Sequence, residues 1–311
     1  MSNITRFHML LAGTTLLTAV AILISWPFSV SKASATSVAA SAFCANVSPK
    51  LELTGEAAYA EDLKTGKVLY EKNANIQLPL ASITKLMTIL VASETLKESD
   101  TVSISQEALE PEGDAGLHEG ETWHVKNLID FTLVTSANDG AHALALASEL
   151  KAQDQSKTFI DRMNAKATEL GLLQTFFADD TGLDISPNNA GAYGSARDVG
   201  KLFAYVARTN PRLIEGTTVG ANTFTSLDGR AHEGKNTSTV ITELSGAIGS
   251  KTGFTDLAGG NLGVIFEPLP GRPVVAVILG STRDGRDTDM LTLAKNLRAT
   301  LRRAIVCEMG K

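Results

Sequence analysis

The sequence predicts an α+β fold: one antiparallel sheet built from both ends of the chain, with an all-helical region at roughly 83–240 inserted between its halves. Three observations predict it. Short strand-like runs open the folded part of the chain, helical periodicity dominates the middle, and strand-like runs return near the end before one last helix. A chain of 311 residues, 43% apolar and 20% charged, is long enough for one such domain and too apolar for a disordered or fibrous one.

Taken in order, residues 1–35 read as an export segment. Residues 9–30 form an apolar run without a charge, behind Arg6 and ahead of Lys32. The run fits two readings. One is a signal peptide cleaved after the small residues Ala33-Ser34-Ala35. The other is a retained anchor, because about 20 apolar residues suffice to cross a bilayer. Either places the remaining chain outside the cytoplasm, with the cell envelope as its expected location. Residues 36–49 are small and polar and read as a linker, which leaves 50–311 as the expected catalytic domain. Residues 57–63 and 67–70 are strand-like and flank Lys64-Thr65-Gly66, which predicts a hairpin with glycine at the tight position. Residues 83–96 repeat apolar side chains at helix spacing and predict a buried helix. Helices are expected over 125–135 and 140–150, broken at Ser136-Ala137-Asn138-Asp139, then over 158–170 and 197–207, the last capped by Ser195. Residues 260–266 and 273–279 predict strands joined by a Pro/Gly turn, and 289–306 a closing helix with a basic face.

Charge and cysteine content narrow the function. With 28 Lys+Arg against 34 Asp+Glu the net charge is −6, which excludes a general nucleic-acid binder. Two cysteines, Cys44 and Cys307, exclude a disulfide-rich scaffold and a four-cysteine zinc site. In an oxidising compartment they are candidates to pair, since chain termini often lie close together.

Three motifs carry candidate chemistry. In Ser82-Ile83-Thr84-Lys85 the spacing puts both functional side chains on one helix face. A serine hydroxyl becomes a nucleophile beside a base, and lysine serves as that base when burial or a nearby cation keeps it partly neutral. Lys85 stands among Leu86, Met87 and Leu90, an unusual place for a solvated cation. The plain alternative is a capping serine with a surface lysine. Ser136-Ala137-Asn138 falls in a helix break, where Ser136 is a candidate proton relay and Asn138 a candidate holder of a substrate amide; the alternative is an ordinary loop. Lys251-Thr252-Gly253 offers one charge and one hydroxyl to a carboxylate, and Gly253 would let a substrate backbone approach the strand. The N–H groups of Phe254 and Ser82 are a candidate oxyanion hole. The alternative there is a strand end with a solvated lysine. The second Lys-Thr-Gly, at 64–66, is assigned a structural role in its turn.

S-x-x-K, S-D-N and K-T-G in this order are the signature of penicillin-binding proteins and class A β-lactamases, and this chain has Ala137 in the middle of the second triplet. With the flanks Leu80-Ala81, Leu86-Met87-Thr88, Val134-Thr135, Asp139-Gly140-Ala141, Thr181-Gly182-Leu183-Asp184 and Phe254-Thr255, the sequence resembles low-molecular-mass D-alanyl-D-alanine carboxypeptidases from about Ala57 onward. The resemblance implies a sheet covered by helices on both faces with a helical region beside it, and the active site between them. It implies Ser82 as the acylated nucleophile, Lys85 as its base and Ser136 as the relay. Asn138, Lys251 and Thr252 would position a peptidoglycan stem peptide ending in D-Ala-D-Ala, with Gly253 and Phe254 beside them. β-Lactams would acylate Ser82 as mimics of that peptide, and the scheme calls for no metal and no organic cofactor.

Two departures stand out. Many relatives continue into a second β-rich domain and a C-terminal amphipathic anchor, whereas this sequence ends at Lys311, so any tether is expected at residues 9–30. Relatives often carry Asn three residues before the Gly182-Leu183 pair, where this chain has Asp179, a loop position expected to matter little. Arg283 has two readings, an added positive charge near the site and a surface turn residue, and the second is preferred. Two alternatives stand beside this reading. A class A β-lactamase needs a Glu-x-x-Leu-Asn stretch, and the nearest match, Glu169-Leu170-Gly171-Leu172-Leu173, ends in Leu. An inactive cell-wall binding module would not need the full set of catalytic residues.

Overall fold

The computed structural model describes residues 50–113 and 115–309. The apolar run at 9–30, the small-residue site at 33–35, the linker and Cys44 lie outside the described residues. Cys307 is not a free thiol. No helix among the described residues is long and apolar enough to cross a membrane.

The opening hairpin is as expected. Strands β1 (Ala57–Asp62) and β2 (Lys67–Lys72) flank a turn in which Gly66 has φ +70°, the left-handed backbone that glycine adopts without steric cost. Short strands follow: β3 (Leu78–Pro79), β4 (Thr101–Ser103), β5 (Thr122–His124), β6 (Phe176–Phe177), β7 (Asp184–Ser186), β8 (Asn189–Ala190) and β9 (Ala192–Gly194). Longer ones complete the set: β10 (Ala221–Thr225), β11 (Ala231–Lys235), β12 (Ala247–Thr255), β13 (Gly259–Leu269) and β14 (Arg272–Ser281). The α-helices are α1 (Thr84–Ala92), α2 (Val125–Thr135), α3 (Asn138–Lys151), α4 (Phe159–Glu169), α5 (Ala196–Thr209), α6 (Arg212–Glu215) and α7 (Gly285–Met309).

The main sheet runs β12-β13-β14-β1-β2, every neighbour antiparallel. It therefore joins both ends of the described chain, as the element order requires. Side chains alternate across a strand, and the alternation sorts two cores. Ala57 and Tyr59 of β1 with Val275, Val277 and Leu279 of β14 face the helical region, against Val199, Leu202 and Phe203 of α5. Ala58 and Ala60 with Val274, Ala276 and Ile278 face the other way, against Met290, Leu293, Leu297 and Leu301 of α7. Both faces are covered by helices, and Val274–Leu279 of β14 are buried without a break, which explains why the strand reads as a continuous apolar run.

The main departures from the sequence reading lie around the first helix, the break at 136–139 and the inserted region. The helix expected over 83–96 starts as a 3-10 turn at Ala81–Ile83 and is α-helical only to Ala92. Ala81 has φ +47°, which a continuous α-helix does not tolerate. The break at 136–139 is narrower: Ser136, with φ +64°, caps α2, and Asn138 is already the first residue of α3. The inserted region, expected to be all-helical, also holds the short strands β4–β9 and the β10–β11 hairpin, whose first strand buries only Phe224, too weak an alternation to read. The expected cap holds, with Ser195 accepting from the Asp198 N–H on α5; α4 carries in addition a reciprocal capping box of Thr158 and Asp161 that the sequence reading does not include.

Candidate active site

The first motif sits where the sheet meets the helical region. Thr84–Ala92 is buried along its whole length, and Lys85 is among the most deeply buried large side chains of the protein. Its Nζ lies 2.9 Å from Ser82 Oγ, 2.5 Å from Asn138 Oδ1 and 2.8 Å from the Thr181 carbonyl. Burial, opposed by the carboxylates of Asp179, Asp180 and Asp139, pushes the Lys85 amine down to about 7. The three contacts suit both forms of the amine: an ammonium donates to all three oxygens, and a neutral amine donates to the two carbonyl oxygens with its lone pair toward the serine hydroxyl. That is the geometry of a serine with its general base.

The second and third motifs meet each other. Lys251 Nζ donates to Ser136 Oγ at 2.8 Å and to the Thr252 carbonyl at 2.8 Å, which ties the edge strand β12 to the end of α2. Lys251 is also buried. Desolvation, with the nearby cations of Lys85 and Arg286, holds it well below the usual ammonium range. Thr252 Oγ1 is 2.6 Å from Thr237 Oγ1. Asn138, expected to hold a substrate amide, has both ends of its own amide engaged within the protein: Oδ1 on Lys85 and Nδ2 on the Glu112 carbonyl at 2.5 Å. Its observed contacts are those of a residue that fixes the lysine.

Gly253 also has a different neighbour from the one expected. A Cβ there would lie 2.7 Å from the Leu80 carbonyl and 3.2 Å from Ala81 Cβ. The missing side chain is required by the turn that carries Ser82, not only by a substrate. Phe254 is 38% exposed at the end of β12. The Arg283 guanidinium lies 4.0 Å from its ring centroid, so Arg283 adds a cation at this rim rather than occupying an unrelated surface turn. Asp179 is far from indifferent. Its Oδ1 accepts from the N–H groups of Thr181 at 2.8 Å and Gly182 at 2.6 Å, and it shapes the turn whose carbonyl meets Lys85.

Three residues escaped the sequence reading. Arg286 is buried and donates to the carbonyls of Gly253 at 2.8 Å and Thr237 at 3.3 Å. Thr237 stands in what reads as an ordinary polar loop. Asn261 is fully buried on β13 and reaches the Leu80 carbonyl at 3.0 Å. None carries a motif; a polar residue at an inward position of an apolar strand was the one available signal, and it marks Asn261. Glu169, the nearest match to a β-lactamase glutamate, is paired with Lys166 at 2.6 Å. Among the described residues no cluster of His, Cys, Asp or Glu suits a metal ion.

A hydroxyl held against a buried, readily neutral amine, at the seam between a sheet edge and a helical region, defines the class: a serine hydrolase that works by acyl transfer. The chain belongs to the D-alanyl-D-alanine carboxypeptidase family, whose sequence pattern matches residues 44–283. It is 32% identical over 243 residues to the D-alanyl-D-alanine carboxypeptidase DacF of Bacillus subtilis, covering 74% of this chain and 59% of that protein. Its fold is similar to the DD-transpeptidase of Streptomyces K15 (TM-score 0.72, 27% identity, covering 81% of this chain and 99% of that one). It is also similar to penicillin-binding protein D2 of Listeria monocytogenes in an ampicillin-bound form (TM-score 0.67, 28% identity, covering 80% and 99%). The α+β fold and the serine-peptidase class read from the sequence are those of the family.

Proposed function

We propose that residues 50–311 form the catalytic domain of a serine D-Ala-D-Ala carboxypeptidase that removes the terminal D-Ala from peptidoglycan stem pentapeptides. The contact of Ser82 Oγ with the buried Lys85 amine carries this reading. Lys85 takes the hydroxyl proton as Ser82 Oγ attacks the penultimate carbonyl carbon. The oxyanion is received by the N–H groups of Ser82 and Phe254. Ser136, in contact with Lys251, passes a proton to the departing D-Ala amine as the C–N bond breaks and takes in its place the proton that Lys85 removed from Ser82, which leaves Lys85 neutral. Water then attacks the ester, Lys85 accepts its proton and returns it to Ser82 Oγ as the bond to the acyl carbon breaks, and the shortened peptide leaves.

The terminal carboxylate of the substrate meets Lys251 and Thr252. Burial disfavours the Lys251 ammonium in the free enzyme; an arriving carboxylate restores it, so charge on this lysine is coupled to correct binding. A β-lactam enters the same site and leaves a slowly hydrolysed acyl group on Ser82, in keeping with the ampicillin-bound relative. The family acts on cell-wall peptides, and the proposed place of work is the extracytoplasmic side, with residues 9–30 as export segment or tether. The test is incubation with a stem pentapeptide ending in D-Ala-D-Ala and assay of free D-Ala. Wild type is expected to release it and Ser82→Ala is not; a wild type that releases none would overturn the reading.

A further inference from the structure

We infer that Asn261 is a positioning residue that holds the strained turn Leu80–Ile83 and so sets Ser82 against Lys85. The inference rests on the role proposed for Ser82. The turn needs holding. Ala81, immediately before Ser82, has φ +47°, a left-handed backbone that a non-glycine residue keeps only where its surroundings over-determine it. Those surroundings converge from three directions. From the sheet, the Asn261 side chain donates from Nδ2 to the carbonyls of Pro79 at 2.9 Å and Leu80 at 3.0 Å. From β9, the Ala192 carbonyl accepts the Leu80 N–H at 2.9 Å. From the Asp179 turn, Gly182 packs against the Ala81 carbonyl with no room for a Cβ.

Asn261 is placed for this by register. It stands directly opposite Gly253 in the β12–β13 ladder, so the two share one face of the sheet. Gly253 presents no side chain there, and the Asn261 amide takes the space up to the turn. Its Oδ1 accepts the Gly280 N–H at 2.8 Å, which fixes the amide to β14 and orients both N–H groups at the turn. Asn261 is 0% exposed. A fully buried amide is unfavourable unless its polar atoms are paired, and here every bond it makes joins the sheet to the Ser82 turn or braces the amide that does so. An apolar residue of similar size would fill the volume equally well; it would not define where the Leu80 carbonyl stands.

The test compares Asn261→Leu and Asn261→Asp with wild type. The aspartate is isosteric, keeps the acceptor for Gly280 and loses both donors. Titration with a fluorescent penicillin separates the dissociation constant of the non-covalent complex from the first-order acylation constant. The acylation constant is expected to fall by roughly ten- to a hundred-fold, with the dissociation constant nearly unchanged, a cooperative thermal melt retained and the adduct still on Ser82. The acid limb of the acylation profile is expected to shift, because the Ser82–Lys85 contact has changed. An acylation constant within about two-fold of wild type in either folded variant, or a loss confined to the dissociation constant, would overturn the inference. If Asn261→Leu does not fold, Asn261→Asp decides on the same readouts. A wild type that takes no adduct removes the proposed function instead, so the two failures are told apart.

Discussion

A buried lysine that must act as a base makes acylation depend on pH in a definite direction. Above its pKa of about 7 the Lys85 amine is neutral and able to accept the Ser82 proton; below it the amine is protonated and the base is lost. The acylation constant for a penicillin is therefore expected to rise from pH 5 to pH 8 with its midpoint near 7, and Lys85→Ala to lose roughly 100- to 10,000-fold. A flat profile across this range would contradict the role. Asp179 gives a finer test. Its carboxylate favours the protonated amine, and Asn at this position can still accept the N–H groups of Thr181 and Gly182. Asp179→Asn is then expected to move the acid limb to lower pH: several-fold faster acylation than wild type at pH 6 and a similar rate at pH 8. A limb that stays in place, or moves upward, would show that the charge is not felt. The chemistry at this scale was legible in the sequence, because a lysine among Leu86, Met87 and Leu90 has few bland explanations. The partners of Lys85 were not, since Thr181 and Asn138 reach it through folds of the chain that spacing does not report.

Elements hold these residues by close approach. Gly253 on β12 lets the edge strand touch the turn before Ser82, and a Cβ would be 2.7 Å from the Leu80 carbonyl, a backbone atom with little freedom to move. Gly253→Ala is expected to cost about 1–3 kcal/mol of stability and to lower acylation at pH 8 more than that loss of stability explains; a thermal melt and a penicillin titration on the same sample measure both. Thr158→Ala is the matching control. It removes the capping box of α4, at about 1 kcal/mol, and lowers the melting temperature with acylation unchanged. A change in acylation there would show that α4 is coupled to the site. Helices with caps and the β1–β2 hairpin were readable because their signals are local. The 3-10 turn at Ala81–Ile83 and the hairpin β10–β11 were not. The first depends on a backbone strain imposed from other strands, and the second buries too few side chains to leave a period.

Across the whole molecule, the sheet brings the two ends of the described chain together and the inserted region closes over one face. This is what puts Ser82, Ser136 and Lys251, drawn from three distant stretches, at one seam. The order strands–helices–strands foretold the sheet, and the three motifs foretold the seam. Arg286 and Asn261 lay beyond such reading, because they brace backbone carbonyls rather than carry chemistry, and a bracing residue is defined by what folds against it. The account stands on Ser82 as the acylated atom. Mass mapping of tryptic peptides after exposure to penicillin tests that directly: the account predicts one adduct per chain, on the peptide holding Ser82, and none in Ser82→Ala; an adduct on another residue, or an unmodified wild type, would contradict it.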